Sequence, residues 1–422
     1  MSSEKITAPQ KITACRVFGN TEFVPCVSIG EQYLSSVFPT SLDYENSVPR
    51  WPLDLVMCRK KGEATCGLVQ LAHKIDLTAM YDAYPYTSST NSSMAGILKS
   101  VADDGRAVWK KEESDVILDI GGNDGTLLSF FKEEPVSLVS IDPAKNVQSL
   151  LKSPNYTSVA DFFSEKVFRT VANKNAKLIF SVAMFYHLDD PMGFTREVAR
   201  CLDDDGVWII QMAYLPAMLR TNMYDNIVHE HNGYYGAQHM RWIMEQAGLE
   251  VFDVSLNVVY GGSFRIFVKR KGNPRFPLTE RYQAILKDEL AQGIFEPETY
   301  RQFDAHIKKT RDDLRALCES LKNAGKTIWI YCASTKGNTI LQYCGLGKEY
   351  FVAAADSNPF KVGKYIIGSD VPIKSEAEMR AARPDYLLAL PYSFVDAFMK
   401  REAELVAQGT KFIVPLPEVK VL

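Results

Sequence analysis

The stretch DNIVHEHNGYYG, residues 225 to 236, sets His229, Glu230 and His231 side by side in a chain that has only six histidines. Three readings suit the triplet. On a strand, His229 and His231 would share a face and could ligate a metal, but no third ligand follows at metal spacing. As proton-transfer groups they suit neutral pH, because an imidazole with an ordinary pKa of about 6.5 is then largely uncharged and able to accept a proton. The plain alternative is a solvated loop.

A second constellation lies upstream in DIGGNDGTLL. Asp119 closes an apolar run, Gly121, Gly122 and Gly125 permit a tight turn, and TLLSFF opens a helix. Asp142 ends the next apolar run, at the distance along the chain where an acid meets ribose hydroxyls. Such a turn brings backbone close to a nucleoside ligand. A dinucleotide pyrophosphate wants helix amides and no nearby anion, whereas the ammonium and sulfonium of S-adenosylmethionine favour carboxylates. Asp119 and Asp124 flank the loop and the GxGxxG spacing is absent, which favours the cationic ligand over a nicotinamide cofactor.

These groups need elements to position them. A chain of 422 residues is long for one core and predicts at least two domains. With 46% hydrophobic and 23% charged residues and a net charge of −3, it reads as a globular protein without general attraction for nucleic acid or anionic lipid. No apolar run approaches the ~20 residues that cross a bilayer, and MSSEKITAPQK lacks a secretory apolar core, so the expected compartment is the cytoplasm. Residues 1–75 form a small Pro- and Gly-rich module. In 76–273, VILDIGGNDGTLLSFF, LVSIDPAKNVQSLL and VWIIQMAYL alternate strand-like runs with amphipathic stretches, the pattern of a parallel α/β sheet, with EVFDVSLNVV and GSFRIFVKR as an added hairpin. Residues 274–324 read as a helical connector, and 325–422 as a second α/β unit.

The stretches YDAYPYTSS, ILDIGGNDGTLL, SIDPAKNV, ADFFS, FYHLDDP, HEHNGYY and YGGSFRIF, in this order, resemble the sugar C-methyltransferases that act on nucleotide-linked 4-ketohexoses. CGLVQL near the start, and ASTKGNTILQYCG, DSNPFKVGKYIIGSDVPI and RPDYLLALP near the end, are similar to that family's zinc-binding and nucleotide-sugar-binding parts. The resemblance implies a Rossmann-like α/β methyltransferase domain between a zinc-ribbon-like module and a second α/β domain. It implies methyl transfer from S-adenosylmethionine to the carbon beside the ketone, C-3, through an enolate. The donor site would comprise Asp119, Gly121, Asn123, Gly125 and Asp142, with Asp161 and Phe162 at the adenine. His231 would remove the proton, Glu230 would orient it or the sugar, and Tyr84 and His187 would bind the carbonyl and enolate. At the position where the family carries tyrosine, this chain has Val228. A nicotinamide-dependent oxidoreductase of nucleotide sugars, or a binding protein that keeps the fold without turnover, are the other readings.

A ribbon-type zinc site takes four ligands in two paired knuckles. Cys15, Cys58 and Cys66 are present, but the partner of Cys15 in CRVF is replaced by Phe18, so zinc on three cysteines plus a substitute and a metal-free module are both open. In the last unit, Ser334, Lys336 and Asn338 of the loop-to-helix turn are expected at the diphosphate. The expected partner is a nucleotide-linked 4-keto sugar, with neither nucleic acid nor membrane, for a monomer or small homo-oligomer.

Overall fold

The computed structural model describes residues 9–46, 48–75, 87–90, 92–147 and 149–422. Tyr84 lies outside them. In the strand Trp51–Cys58, WPLDLVMC alternates: Trp51, Leu53, Leu55 and Met57 are buried, while Pro52, Asp54 and Val56 are partly exposed. A period of two makes a strand with one buried face, and it pairs antiparallel with Phe23–Gln32 on one side and Val69–Leu71 on the other. The fourth strand of this sheet comes from far along the chain. Gly233–Tyr234, at the end of the histidine stretch, pairs antiparallel with Val69 and Gln70. The amino-terminal module thus holds the histidine segment through backbone hydrogen bonds.

An apolar run without alternation makes a strand covered on both faces. VILDI, Val116–Ile120, is buried at all positions. It lies inside a seven-stranded sheet ordered Leu249–Asn257, Ser263–Arg270, Leu202–Ala213, Ala176–Val182, Val116–Ile120, Ser137–Ile141, Tyr156–Val159. Only Ser263–Arg270 runs against its neighbours, and it forms with Leu249–Asn257 the hairpin expected from the sequence. Val116, Leu118 and Ile120 face a core shared with the helices Pro191–Cys201 and Ala237–Gln246, whereas Ile117 faces the helix Ser92–Val108. The chain steps outward from Val116–Ile120 on one side and returns to Ala176–Val182 on the other. That reversal opens a crevice at the carboxyl ends of the two strands, where open α/β sheets take ligands.

The carboxy-terminal unit repeats the plan. Its sheet runs Tyr365–Ile366, Val371–Lys374, Ala354–Ala355, Ile328–Tyr331, Tyr386–Ala389, Lys411–Val414, Lys420–Val421, with the same reversal beside its first strand. The likeness reaches side chains: Asp142 accepts from the amides of Asn123 and Ala144 at 2.9 and 2.8 Å, and Asp356 from those of Ala333 and Asn358 at 3.0 and 2.8 Å. Each acid follows the second strand of its unit and pins the loop after the first. The architecture is therefore mixed α/β, a Rossmann-like domain between a small sheet module and a second α/β unit.

Residues between the units form two helices that belong to the cores. Tyr282 of Glu280–Ala291 packs with the large sheet. Pro297–Asn323 buries Tyr300, Phe303, Ile307, Thr310, Leu314, Cys318 and Leu321, a stripe at helical spacing, against both the amino-terminal sheet and the last unit.

Candidate active site

The crevice of the large sheet holds a cavity of about 620 Å³. Asp119, Gly121, Gly122, Asn123, Asp142 and Phe162 line it, as do His187, Glu230 and Asn232. The donor loop and two residues of the proposed proton-transfer set therefore share one space. A Cβ on Gly122 would fall 2.4 Å from Ser140 Oγ and 3.0 Å from Asp119 Oδ2, so only glycine lets the turn pass over the acid. Gly125 and Asp161 do not line the cavity. Gly125 shapes the turn at φ +79°, and Asp161 is exposed, accepting from the amide of Phe162 at 2.7 Å. Phe162 is half exposed, and Phe163 packs on Phe194 with ring centroids 5.4 Å apart.

The electrostatics of this wall are negative. Burial, with Asp142 and Asp124 nearby, raises the Asp119 carboxyl to about 8. Such a carboxyl is poised to ionise against a bound cation. Asn123 ties the loop to the segment before the first long helix, its Oδ1 accepting from the Ser88 amide at 2.9 Å, while Asp124 accepts from Ser89 at 2.8 Å.

The three adjacent polar residues separate into different roles. The His229 ring is buried, its Nε2 donating to the Trp51 carbonyl at 3.1 Å, with the Trp51 ring edge-on. It fastens the loop to the amino-terminal sheet. Glu230 reaches the cavity, and burial raises its pKa. The Nδ1 of His231 lies 2.9 Å from the Asn226 carbonyl. A carbonyl only accepts, so Nδ1 carries the proton and Nε2 keeps its lone pair. His231 borders a small cavity of about 10 Å³ with Tyr186, Asn226 and Tyr234, next to the main one. His187, which lines the main cavity, has its ring stacked on that of His231 at 5.5 Å and 25°. Burial lowers His187 to about 4, and burial followed by His187 and Lys336 lowers His231 well below its ordinary value. Both imidazoles are neutral at pH 7.

The remaining candidates have partners within the fold. Ser334 spends its hydroxyl on capping its helix, accepting from Gly337 at 3.0 Å. Asn338 is fully buried, with Nδ2 on the Ser35 carbonyl at 3.4 Å and Oδ1 without a hydrogen-bond partner among the described residues. Lys336 is partly buried, its ammonium donating to Asn226 Oδ1. Cys15 makes hydrogen bonds with Cys58 and Cys66, and Gln70 and Asn20 donate to the sulfurs of Cys15 and Cys58. Phe18 has turned away to stand edge-on to Trp242, centroids 5.4 Å apart, and Cys26 lies in another core. The three thiols form a hydrogen-bonded cluster without a fourth ligand, and among the described residues no group of three or more His, Cys, Asp and Glu side chains is arranged to hold a metal ion. A four-thiolate zinc site does not fit these residues.

Several site residues carry no local sequence signal. Ala183 lines the cavity at φ +56°, a strained conformation for a residue with a Cβ. Lys74 and Asp189, also on the wall, form an ion pair, and Asp189 receives Arg16 Nε at 3.4 Å. Glu289 is fully buried and accepts from the Ala237 and Gln238 amides at 2.5 and 2.8 Å, capping the helix that follows the histidine segment.

A Rossmann-like sheet whose crevice is acidic and bordered by histidines suits a nucleoside ligand that carries positive charge. Three family models match in succession: a "Putative zinc binding domain" over residues 15–81, a methyltransferase domain over 95–254 and a C-methyltransferase C-terminal domain over 258–417. The chain is an S-adenosylmethionine-dependent C-methyltransferase, which sets the nicotinamide reading aside. It is similar to the C-methyltransferase NovU of Streptomyces niveus, 29% identical over 413 residues and covering 97% of both chains. Among solved structures, it is similar to the magnesium protoporphyrin IX methyltransferase of Synechocystis PCC 6803 with bound SAM, with a TM-score of 0.31, 10% identity and coverage of 42% of this chain and 79% of that one. The plantazolicin methyltransferase BpumL in complex with SAH gives a TM-score of 0.36 at 11% identity, over 46% of this chain and 95% of that one. No helix among the described residues is long and apolar enough to cross a membrane.

Proposed function

We propose that the enzyme methylates the carbon beside the ketone, C-3, of a nucleotide-linked 4-keto sugar. The observation that carries this reading is the shared cavity: the acidic glycine loop and the His187–Glu230 wall face one space, with His231 stacked behind. A carbon next to a ketone becomes a nucleophile only when a base removes its proton and the carbonyl oxygen takes the charge. Bound S-adenosylmethionine supplies the electrophilic methyl group.

The residues divide the work by their surroundings. Asp119 and Asp142 offer carboxylates to the donor's ammonium and ribose, and Phe162 its ring to the adenine. His231 takes the proton on Nε2, because the Asn226 carbonyl occupies its Nδ1 hydrogen. His187, neutral at the cavity wall, donates to the oxygen that becomes the enolate. Glu230 accepts from sugar hydroxyls. Holding both reactants in one cavity converts an encounter into an intramolecular step.

Incubation with S-adenosylmethionine carrying a labelled methyl and a panel of nucleotide-linked 4-ketosugars tests the reading. One acceptor should gain a single labelled methyl at the carbon beside the ketone. Tight donor binding with no transfer to any member of the panel would overturn it.

A further inference from the structure

We propose that Lys336 of the carboxy-terminal unit is a positioning residue for His231, holding through Asn226 the carbonyl that orients the imidazole. The inference rests on the reading of His231 as the base. Lys336 sits in the first turn of Thr335–Cys344, a helix N-terminus where the backbone dipole disfavours a cation. It is also partly buried, and burial lowers its pKa. Both features are costly unless the charge has a role.

Its surroundings show the role. Lys336 Nζ donates to Asn226 Oδ1. An ammonium only donates, so it fixes which end of the Asn226 amide faces it. The backbone carbonyl of the same residue, a separate group from the side-chain amide that Lys336 holds, accepts from His231 Nδ1 at 2.9 Å and from the Tyr234 hydroxyl at 3.2 Å. The neighbouring Asp225 is buried, supplies the counter-charge to Lys336, and accepts from Tyr392 of the same carboxy-terminal unit at 3.1 Å. Two side chains of the last unit thus clamp the two residues that start the histidine turn.

The clamp has an electrostatic side. The groups facing His231 are His187 and Tyr186 from one element, Tyr234 from its own segment, and Lys336 from the last unit, with Asp225 and Tyr392 behind it. Of these, Lys336 carries the positive charge that disfavours the imidazolium. Removing it should let His231 hold a proton more easily and should also loosen its orientation.

The test uses the full-length enzyme with 15N-labelled histidine, in which the His231 signals are identified by their loss in His231→Gln. In Lys336→Met the His231 titration should move up by about one unit and its fixed Nδ1–H tautomer should become mixed, while kcat falls at least about tenfold and donor affinity stays within about twofold. Lys336→Arg should keep the titration where it is. Where Lys336→Met does not fold, Asp225→Asn with Lys336→Met removes both charges and answers the same question. An unmoved His231 titration and tautomer in the folded variant overturns the proposal. Full activity of His231→Gln would instead overturn the assignment of the base, leaving the titration result to stand alone.

Discussion

The rings of His187 and His231 lie 5.5 Å apart with their planes 25° from parallel, one on the wall of the donor cavity and one behind it. Burial keeps both neutral, His187 at about 4 and His231 well below the ordinary imidazole value. The base is the uncharged form, so a lowered pKa extends activity toward acid pH. In the range where the protein stays folded, kcat should hold level from neutral pH down through the ordinary imidazole value and fall only well below it. A kcat profile with its acid limb centred at the ordinary value of about 6.5 would contradict this.

Asp119 gives a second pH signature of opposite sign. Its carboxyl is raised to about 8, chiefly by burial, and is therefore largely protonated at pH 7 before a ligand arrives. A cation beside it favours the ionised form. Donor binding at pH 7 should then release a proton, seen by calorimetry as a binding enthalpy that changes with the ionisation enthalpy of the buffer. Asp119→Asn should abolish the release and weaken binding about 10- to 100-fold, the range for hydrogen bonds to charged groups. A buffer-independent enthalpy for the unaltered enzyme would count against the assignment.

Glu289 caps the helix Ala237–Gln246 directly after the histidine segment, and a Cβ on Gly236 would come within 2.8 Å of its Oε1. Glu289→Gln turns one acceptor into a donor facing a backbone N–H and should cost about 1–3 kcal/mol of stability in urea denaturation. Gly236→Ala should also destabilise. If Glu289→Gln leaves the midpoint unchanged, the cap is dispensable.

The cysteine cluster makes a gain-of-function prediction. Cys15, Cys58 and Cys66 meet in one hydrogen-bonded cluster that favours a thiolate at Cys15, and Phe18 stands where a fourth sulfur belongs in a paired knuckle. Phe18→Cys should retain one zinc per chain, by elemental analysis after dialysis against a weak chelator, under conditions that leave the unaltered protein well below one. Equal zinc in the two proteins would show that the position is irrelevant to metal.

Local pattern carried much of this architecture. VILDI reads as a doubly covered strand because it lacks alternation, WPLDLVMC as a half-buried one because it has it, and the acidic glycine turn marks the crevice. What escaped depends on contacts distant along the chain. Gly233–Tyr234 is too short to signal a strand and exists because Val69–Leu71 offers an edge. Lys336 resembles a diphosphate ligand in its own segment, yet its partner lies 110 residues earlier, in the turn before His231. The burial of Asn338 and the cap from Glu289 have the same origin, tertiary packing that no short window encodes.

The account depends on proton removal by an imidazole beside the ketone, and this can be measured without a methyl donor. In deuterium oxide, the enzyme should exchange the C-3 hydrogen of an accepted nucleotide 4-ketosugar, followed by NMR, and His231→Ala should slow that exchange by about 100-fold or more. His231→Ala exchanging at the unaltered rate would contradict the account, most plainly if His187→Ala abolished exchange instead.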